Sequence, residues 1–232
     1  MLLYQQREGY SYNSDSIFLY NFIRGFNPKG VILDIGCGVG VISALLTRDF
    51  GIDTHVIDKQ RDMLRYAEIN FKINGLKLKR AYLGDLLEVD IDEKFDFIVS
   101  NPPFYNSDAV TQSSKRALNI ARYSHHLPLE KLIKRVKNLL KPRGNFIFCY
   151  DAKQIDRVLH YMVDSGINPE VLRFVHSKID RNSKLVMIKG RVGSKSMVEV
   201  RPPLIVFDGD GYSKEAKEAF KNASTDTIKG DF

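Results

Sequence analysis

Asn101, Pro102, Pro103 and Phe104 follow directly on the apolar run Phe95–Ser100. That run is short, rich in β-formers and closed by prolines that cannot continue a ladder, so it reads as a buried parallel strand. The carboxyl end of such a strand is where open α/β sheets keep their ligand crevice. Pro102 and Pro103 have a fixed φ and no N–H, so they hold their carbonyls stiffly without adding a donor. Asn101 adds a side-chain acceptor and Phe104 a flat face. Two fixed acceptors beside an aromatic plate suit a planar amino group on an adenine, a cytosine or an amide. The lone pair of such a group is delocalised, which makes the nitrogen a poor nucleophile. Acceptors on its hydrogens favour a pyramidal nitrogen and stabilise the positive charge that grows as it attacks. By itself the tetrapeptide reads equally as a Pro-Pro turn with a core Phe, so the rest of the chain must decide.

Val31–Ile35 is a second apolar run, and it opens into Gly36-Cys37-Gly38-Val39-Gly40 before a helical pattern at Val41, Ile42, Leu45 and Leu46. Glycines let a backbone pass close to a bound nucleoside. The dinucleotide fingerprint would need its third glycine at position 41, which is Val41, and no Gly-Lys-Ser/Thr follows to make a phosphate loop. Asp34 precedes the loop. A third strand, His55–Asp58, ends in Asp58 followed by Lys59, about 20 residues past the loop, where a carboxylate can accept ribose hydroxyls or cap the next helix. Ala81–Leu86 ends in Asp85 and Leu86, with Asp85 either a ligand or a turn residue after Gly84. Asp34, Asp58, Asp85 and Asn101 thus fall at the ends of successive strands separated by helices. Turns alone explain one such placement, not four in order.

These motifs resemble those of class I S-adenosylmethionine-dependent methyltransferases. Asp34, Gly36, Gly38 and Gly40 resemble the first motif, which faces the methionine moiety. Asp58 and Lys59 match the ribose position, and Asp85 and Leu86 the position that meets the adenine of the cofactor. Asn101-Pro102-Pro103-Phe104 resembles the Asn/Asp-Pro-Pro-Phe/Tyr signature of the amino-group methyltransferases, with Asn101 also at the cofactor. Gly9–Leu19, Ala121-Arg122-Tyr123, Arg201–Phe207 and Tyr212-Ser213 narrow the resemblance to the bacterial adenine-N6 methyltransferases of valine tRNA. The segment 9–16 of that family reaches over the cofactor, which implies roles there for Asp15 and Ser16. The polar stretch 106–114 departs from the family, where more Gly and Lys are expected. The resemblance implies a Rossmann-like α/β fold: a mostly parallel seven-stranded sheet, helices on both faces and a C-terminal antiparallel hairpin. It also implies S-adenosylmethionine as cofactor and methylation of an adenine N6 next to the anticodon. Glutamine methylation of a protein such as a release factor uses the same acceptors and is the alternative, as is a catalytically silent nucleoside- or RNA-binding module.

Composition is compatible with this. The chain has 232 residues and 44% hydrophobic content, enough for one full α/β core. Its 35 Lys and Arg against 28 Asp and Glu leave a charge of +7, which favours a polyanionic partner. Lys115, Arg116 and Arg122, in a long polar stretch from 106 to 126, are the expected RNA contacts. Cys37 and Cys149 are too few for a disulfide framework or a zinc site, and the His125-His126 pair lacks further spaced ligands, so no metal is expected. No signal peptide or membrane span is read, so the expectation is a cytoplasmic, monomeric enzyme. Ser14 or Asp15 is the expected N-cap of a helix closing near Gly25, and Pro142-Arg143-Gly144 the expected stop before a strand from Asn145. The divisions are residues 1–25, covering the cofactor; 26–212, the catalytic domain; and 213–232, a helix start with a flexible tail.

Overall fold

The computed structural model describes residues 1–7, 12–102 and 128–230. Its strands are β1 (Leu2–Gln5), β2 (Val31–Ile35), β3 (Asp53–Asp58), β4 (Leu78–Leu83), β5 (Phe95–Ser100), β6 (Leu140–Asp151), β7 (Ile167–His176) and β8 (Leu185–Val192). Short strands follow: β9 (Glu199–Val200), β10 (Leu204–Ile205), β11 (Phe207–Asp208), β12 (Gly211–Tyr212) and β13 (Asp226–Lys229). The helices are α1 (Ser14–Arg24), α2 (Val41–Phe50), α3 (Arg61–Ile73), α4 (Leu129–Leu139), α5 (Ile155–Asp164) and α6 (Lys214–Ala223).

The main sheet runs β10-β7-β8-β6-β5-β2-β3-β4, with β9 also on β7. β2 through β6 pair in parallel, and β8 is antiparallel to both β6 and β7. Seven long strands and a C-terminal antiparallel hairpin are therefore as expected. The added β9 and β10 extend one edge by two residues each. Alternation of side chains across the strands divides the core. Ile32, Val99, Ile147 and Cys149 face α1, α2 and α6, whereas Leu33, Ile98, Phe146 and Phe148 face α4 and α5. Burying each apolar stripe against the sheet is what holds these helices, since isolated helices of this length are marginal.

Three local expectations are corrected. Asn13, not Ser14 or Asp15, caps α1, its side chain accepting from the Asp15 amide at 3.1 Å. β6 begins at Leu140, and Pro142–Gly144 lies within it as a register shift against β5 rather than as a stop before it. Pro142 has no N–H for the ladder and Arg143 has a φ of +63°, so the strand bulges without ending. The polar tail is not loose. Asp226–Lys229 pairs in parallel with Leu2–Gln5, which makes the two ends of the described chain a separate two-stranded sheet. A tail judged by composition alone carries no information about a backbone partner more than two hundred residues away.

This small sheet is pinned to the main domain by Asn70 of α3, which is fully buried. Its side chain accepts from the Tyr4 amide at 2.6 Å and donates to the carbonyls of Tyr4 and Val39, each at 2.9 Å. One amide thus ties β1 to the glycine loop. Asn70→Ala leaves three backbone groups without their partner, the Val39 carbonyl fully buried and the two of Tyr4 partly so, and should cost about 2–4 kcal/mol, read by urea unfolding. Hydrogen exchange should show β1 and β13 losing protection before the main sheet does.

Candidate active site

Parallel register sets the ends of five strands at one edge. Ile35 pairs with both Ile57 and Ser100, Asp58 with Leu83, and Ser100 with Phe148. The chain leaves β4 on one side of β2 and returns as β5 on the other, so β2 and β5 flank a topological switch point. A narrow cleft opens there, lined by Tyr12, Ser16, Asp34, Gly36, Cys37 and Asn101, with Val39, Val41 and Ile42 as its apolar wall.

Asp34 is the dominant electrostatic feature. Its side chain is 1% exposed, and Oδ2 has no hydrogen-bond partner among the described residues. Burial pushes its pKa up to about 7; hydrogen bonding from Ser43 pulls it down, and the nearby charge of Asp58 raises it further. A buried, unpartnered acceptor facing a cleft is a site for a ligand that brings its own donor or positive charge. The loop beside it is built for close approach. Gly36 has a φ of +64°, and a Cβ there would project into open space; Gly40 has a φ of +76°, and a Cβ would meet that of Ala67 at 2.9 Å. Gly36 leaves room on the cleft side, and Gly40 lets α2 start against α3.

Asp58 is held by the loop rather than free. Its Oδ2 accepts from the Gly38 amide at 3.0 Å and its Oδ1 from the Gln60 amide at 2.9 Å. Burial still raises its pKa, with the Gln60, Gly38 and Lys59 amides opposing. Lys59 and Asp85 form an ion pair at 2.6 Å, and Asp85 also accepts from the Leu87 amide. Asp58, Lys59 and Asp85 lie beyond the cleft lining, at the ends of β3 and β4. The Leu86 side chain points into the core and its carbonyl accepts from Arg135, so no side-chain contact with the cleft is available to it. Asp15, partly buried with a raised pKa from desolvation, accepts from Asn13 and is not in the lining either.

Asn101 is fixed on two sides. Its Nδ2 donates to Ser16 Oγ at 3.0 Å, and its Oδ1 accepts from Cys149 Sγ at 2.9 Å. Ser16 thus joins the cover helix α1 to the end of β5. Pro102 is buried beside it. Pro103, Phe104, Lys115, Arg116 and Arg122 lie outside the described residues. Two of the four basic side chains of α4 are engaged within the domain: Lys134 pairs with Glu130, and Arg135 donates to the Leu86 and Val89 carbonyls. Tyr12, inside the segment 9–16 expected over the cofactor, lines the cleft, and its hydroxyl meets Thr225 and Thr227 near β13 at 3.3 and 2.9 Å. Cys149 and Asn70 carry no such sign in the sequence: the first is one more apolar residue of a core strand, the second a lone polar residue inside a helix.

A model of the methyltransferase small domain family matches residues 14–163, more than half of the chain. The chain belongs to that family. The methyltransferase is 32% identical over 187 residues to a tRNA1(Val) (adenine(37)-N6)-methyltransferase of Aliivibrio fischeri, covering 79% of this chain and 78% of that protein. It is 29% identical over 170 residues to the protein of the same name from Pedobacter heparinus, covering 71% and 70%. In fold it is similar to a predicted O-methyltransferase from Agrobacterium tumefaciens, with a TM-score of 0.68 over 92% of this chain and 99% of that one, at 11% identity. The methyltransferase is a class I enzyme that uses S-adenosylmethionine, and the resemblance read from its motifs is borne out. The donor-poor Asp34 and the glycine cradle fit a cationic, nucleoside-bearing cofactor. No helix among the described residues is long and apolar enough to cross a membrane, and they hold no cluster of three or more metal-ligating side chains.

The raised pKa of Asp34 makes a signed prediction. Between the unfolded pKa near 4 and the folded value of about 7, the native chain holds a proton that the unfolded chain has lost. The cost to stability is therefore absent below about pH 4, grows as pH rises and is complete above about pH 7. Without ligand, Asp34→Asn should be more stable than wild type by about 2–4 kcal/mol at pH 8 and equal to it at pH 4, measured by urea unfolding.

Proposed function

We propose that this methyltransferase transfers a methyl group to the exocyclic N6 of an adenine in tRNA, next to the anticodon of valine tRNA. The observation that carries the reading is Asn101. It is a rigidly held amide whose carbonyl oxygen lies at the switch point, across the cleft from Asp34 and Gly36 and directly before Pro102. Relatives that bear the tRNA adenine name at 29–32% identity support the substrate class.

Bound S-adenosylmethionine supplies an electrophilic methyl on a sulfonium. Asp34 and the Gly36–Gly40 loop would hold its methionine end, with Ser16 of α1 at the same cleft. Asp58 would accept from its ribose, and Asp85, paired with Lys59, would stand toward its adenine. The target adenine is splayed from its loop and stacks on Phe104. Asn101 Oδ1 and the Pro102 carbonyl accept the two amino hydrogens, and Pro103 keeps that turn stiff. Both acceptors bind more tightly as the nitrogen becomes positive, so they act on the transition state. Alignment of nitrogen with the methyl accounts for much of the remaining rate. The newly methylated nitrogen loses its proton to water. Lys115, Arg116 and Arg122 neutralise phosphates, in keeping with the +7 charge. The setting of this work is the cytoplasm, with the enzyme acting as a monomer.

The test is methyl transfer from labelled S-adenosylmethionine to unmodified bulk tRNA, with release factor and duplex DNA in parallel. N6-methyladenosine should appear in tRNA, and Asn101→Ala should lower kcat by about 10²–10³, as expected for loss of a preorganised acceptor. Label in the release factor instead would replace the reading with glutamine methylation on the same acceptors. Full activity of Asn101→Ala would remove the amino-group site altogether.

A further inference from the structure

We infer that Cys149 is a positioning residue for methyl transfer, holding the Asn101 amide with its carbonyl oxygen, rather than its NH2, available to the target amine. The inference rests on the reading of Asn101 as the acceptor. Ser100 pairs with Phe148 in parallel, so Asn101, the first residue past β5, comes beside Cys149 of β6. There Sγ lies 2.9 Å from Oδ1, and Nδ2 lies 3.0 Å from Ser16 Oγ.

The two ends of a carboxamide have nearly the same shape, so turning the group over costs little in packing. The chemical consequence is large. With the NH2 presented to the target, two donors face each other and the growing positive charge is opposed instead of stabilised. Something must select one orientation. The Ser16 hydroxyl can donate or accept, so it fits either end of the amide. A thiol S–H is a weak donor and its sulfur a weak acceptor of N–H. With Sγ 2.9 Å from Oδ1 the S–H donates to the oxygen, so Cys149 favours the oxygen toward itself. Burial, reinforced by the charge of Asp15, pushes the thiol pKa well up and keeps that donor in place at every working pH. The carbonyl oxygen has two lone pairs, one for the thiol and one for the substrate. Filling space is the simpler role for a fully buried cysteine among Val99 and Ile147. It does not account for a sulfur aimed at the oxygen of this one amide.

The experiment compares Cys149→Ala and Cys149→Ser with wild type in methyl transfer to unmodified tRNA, with Asn101→Ala as reference. Cofactor affinity is measured by calorimetry and folding by thermal unfolding. Cys149→Ala should lower kcat about five- to tenfold, the effect of one ordinary hydrogen bond, with KM for tRNA and cofactor affinity unchanged. Cys149→Ser restores a donor and should recover kcat to within about twofold to threefold. Folded Cys149→Ala with wild-type kcat would overturn the inference. So would Cys149→Ser falling as far as Cys149→Ala, which assigns the site to packing. In either case an inactive Asn101→Ala leaves the amino-group reading standing. An active Asn101→Ala overturns both.

Discussion

The arrangement depends on β5 pairing with β2 instead of with β4. Three strands laid down in one direction, β2, β3 and β4, are followed by a return to the opposite side of β2. At that reversal the connections on the two sides diverge, and a gap opens between the end of β2 and the end of β5. Asp34 and the glycine loop stand on one side and Asn101 on the other. Parallel pairing adds the second half of the constraint, because it puts every strand's carboxyl end at the same edge. Residues nearly seventy positions apart then meet without any special contact to draw them together.

The cover over this gap comes from the ends of the described chain. α1 sends Ser16 to Asn101, and Tyr12 lines the cleft while its hydroxyl is tied to Thr225 and Thr227. β1 and β13 hold each other as a two-stranded sheet, a unit too small to be stable alone in water. It persists because Asn70 fixes Tyr4 to the loop carbonyl of Val39 and Tyr66 donates to the carbonyl of Gly230. The two parts differ in anchoring. α1 buries Ile17, Phe18, Leu19 and Ile23 in the main core, whereas the β1–β13 sheet adds only Leu3 to it and leaves β13 exposed, which places that small sheet at the low-stability end of the molecule.

Electrostatics run the opposite way. Asp34 is taken out of water without a partner for one of its oxygens, and Asp58 stands near enough to raise its pKa further. Elsewhere the chain pairs its buried charge well: Glu170 accepts from Lys189, Arg191 and Ser194, which together hold its carboxyl down at about 2. The contrast marks Asp34 as a functional group whose cost is offset by a bound cation or donor, and Glu170 as part of the scaffold.

Much of this was legible in the residues. Periodicity and punctuation placed β2 to β5 with α2 and α3 between them, because an apolar run closed by Gly or Pro is a local signal. Between β4 and β5, where a helix is also expected, residues 84–94 form turns instead. The same locality put Asp34, Asp58, Asp85 and Asn101 at strand ends. Only the tertiary structure decided what those ends touch. Asp58 and Asp85 each read either as a ligand or as a cap or turn residue, and the structure shows Asp58 held by the Gly38 and Gln60 amides and Asp85 by Lys59 and the Leu87 amide. Leu86 lies in the turn after β4 and turns its side chain into the core, which the sequence pattern of the strand does not set. Cys149 and Asn70 gave no sign of a polar role, since a cysteine in an apolar strand and an asparagine in a helix look alike whether or not a partner waits opposite. Strand ends are written in local pattern, whereas hydrogen-bond partners are set by register and packing between segments far apart in the chain.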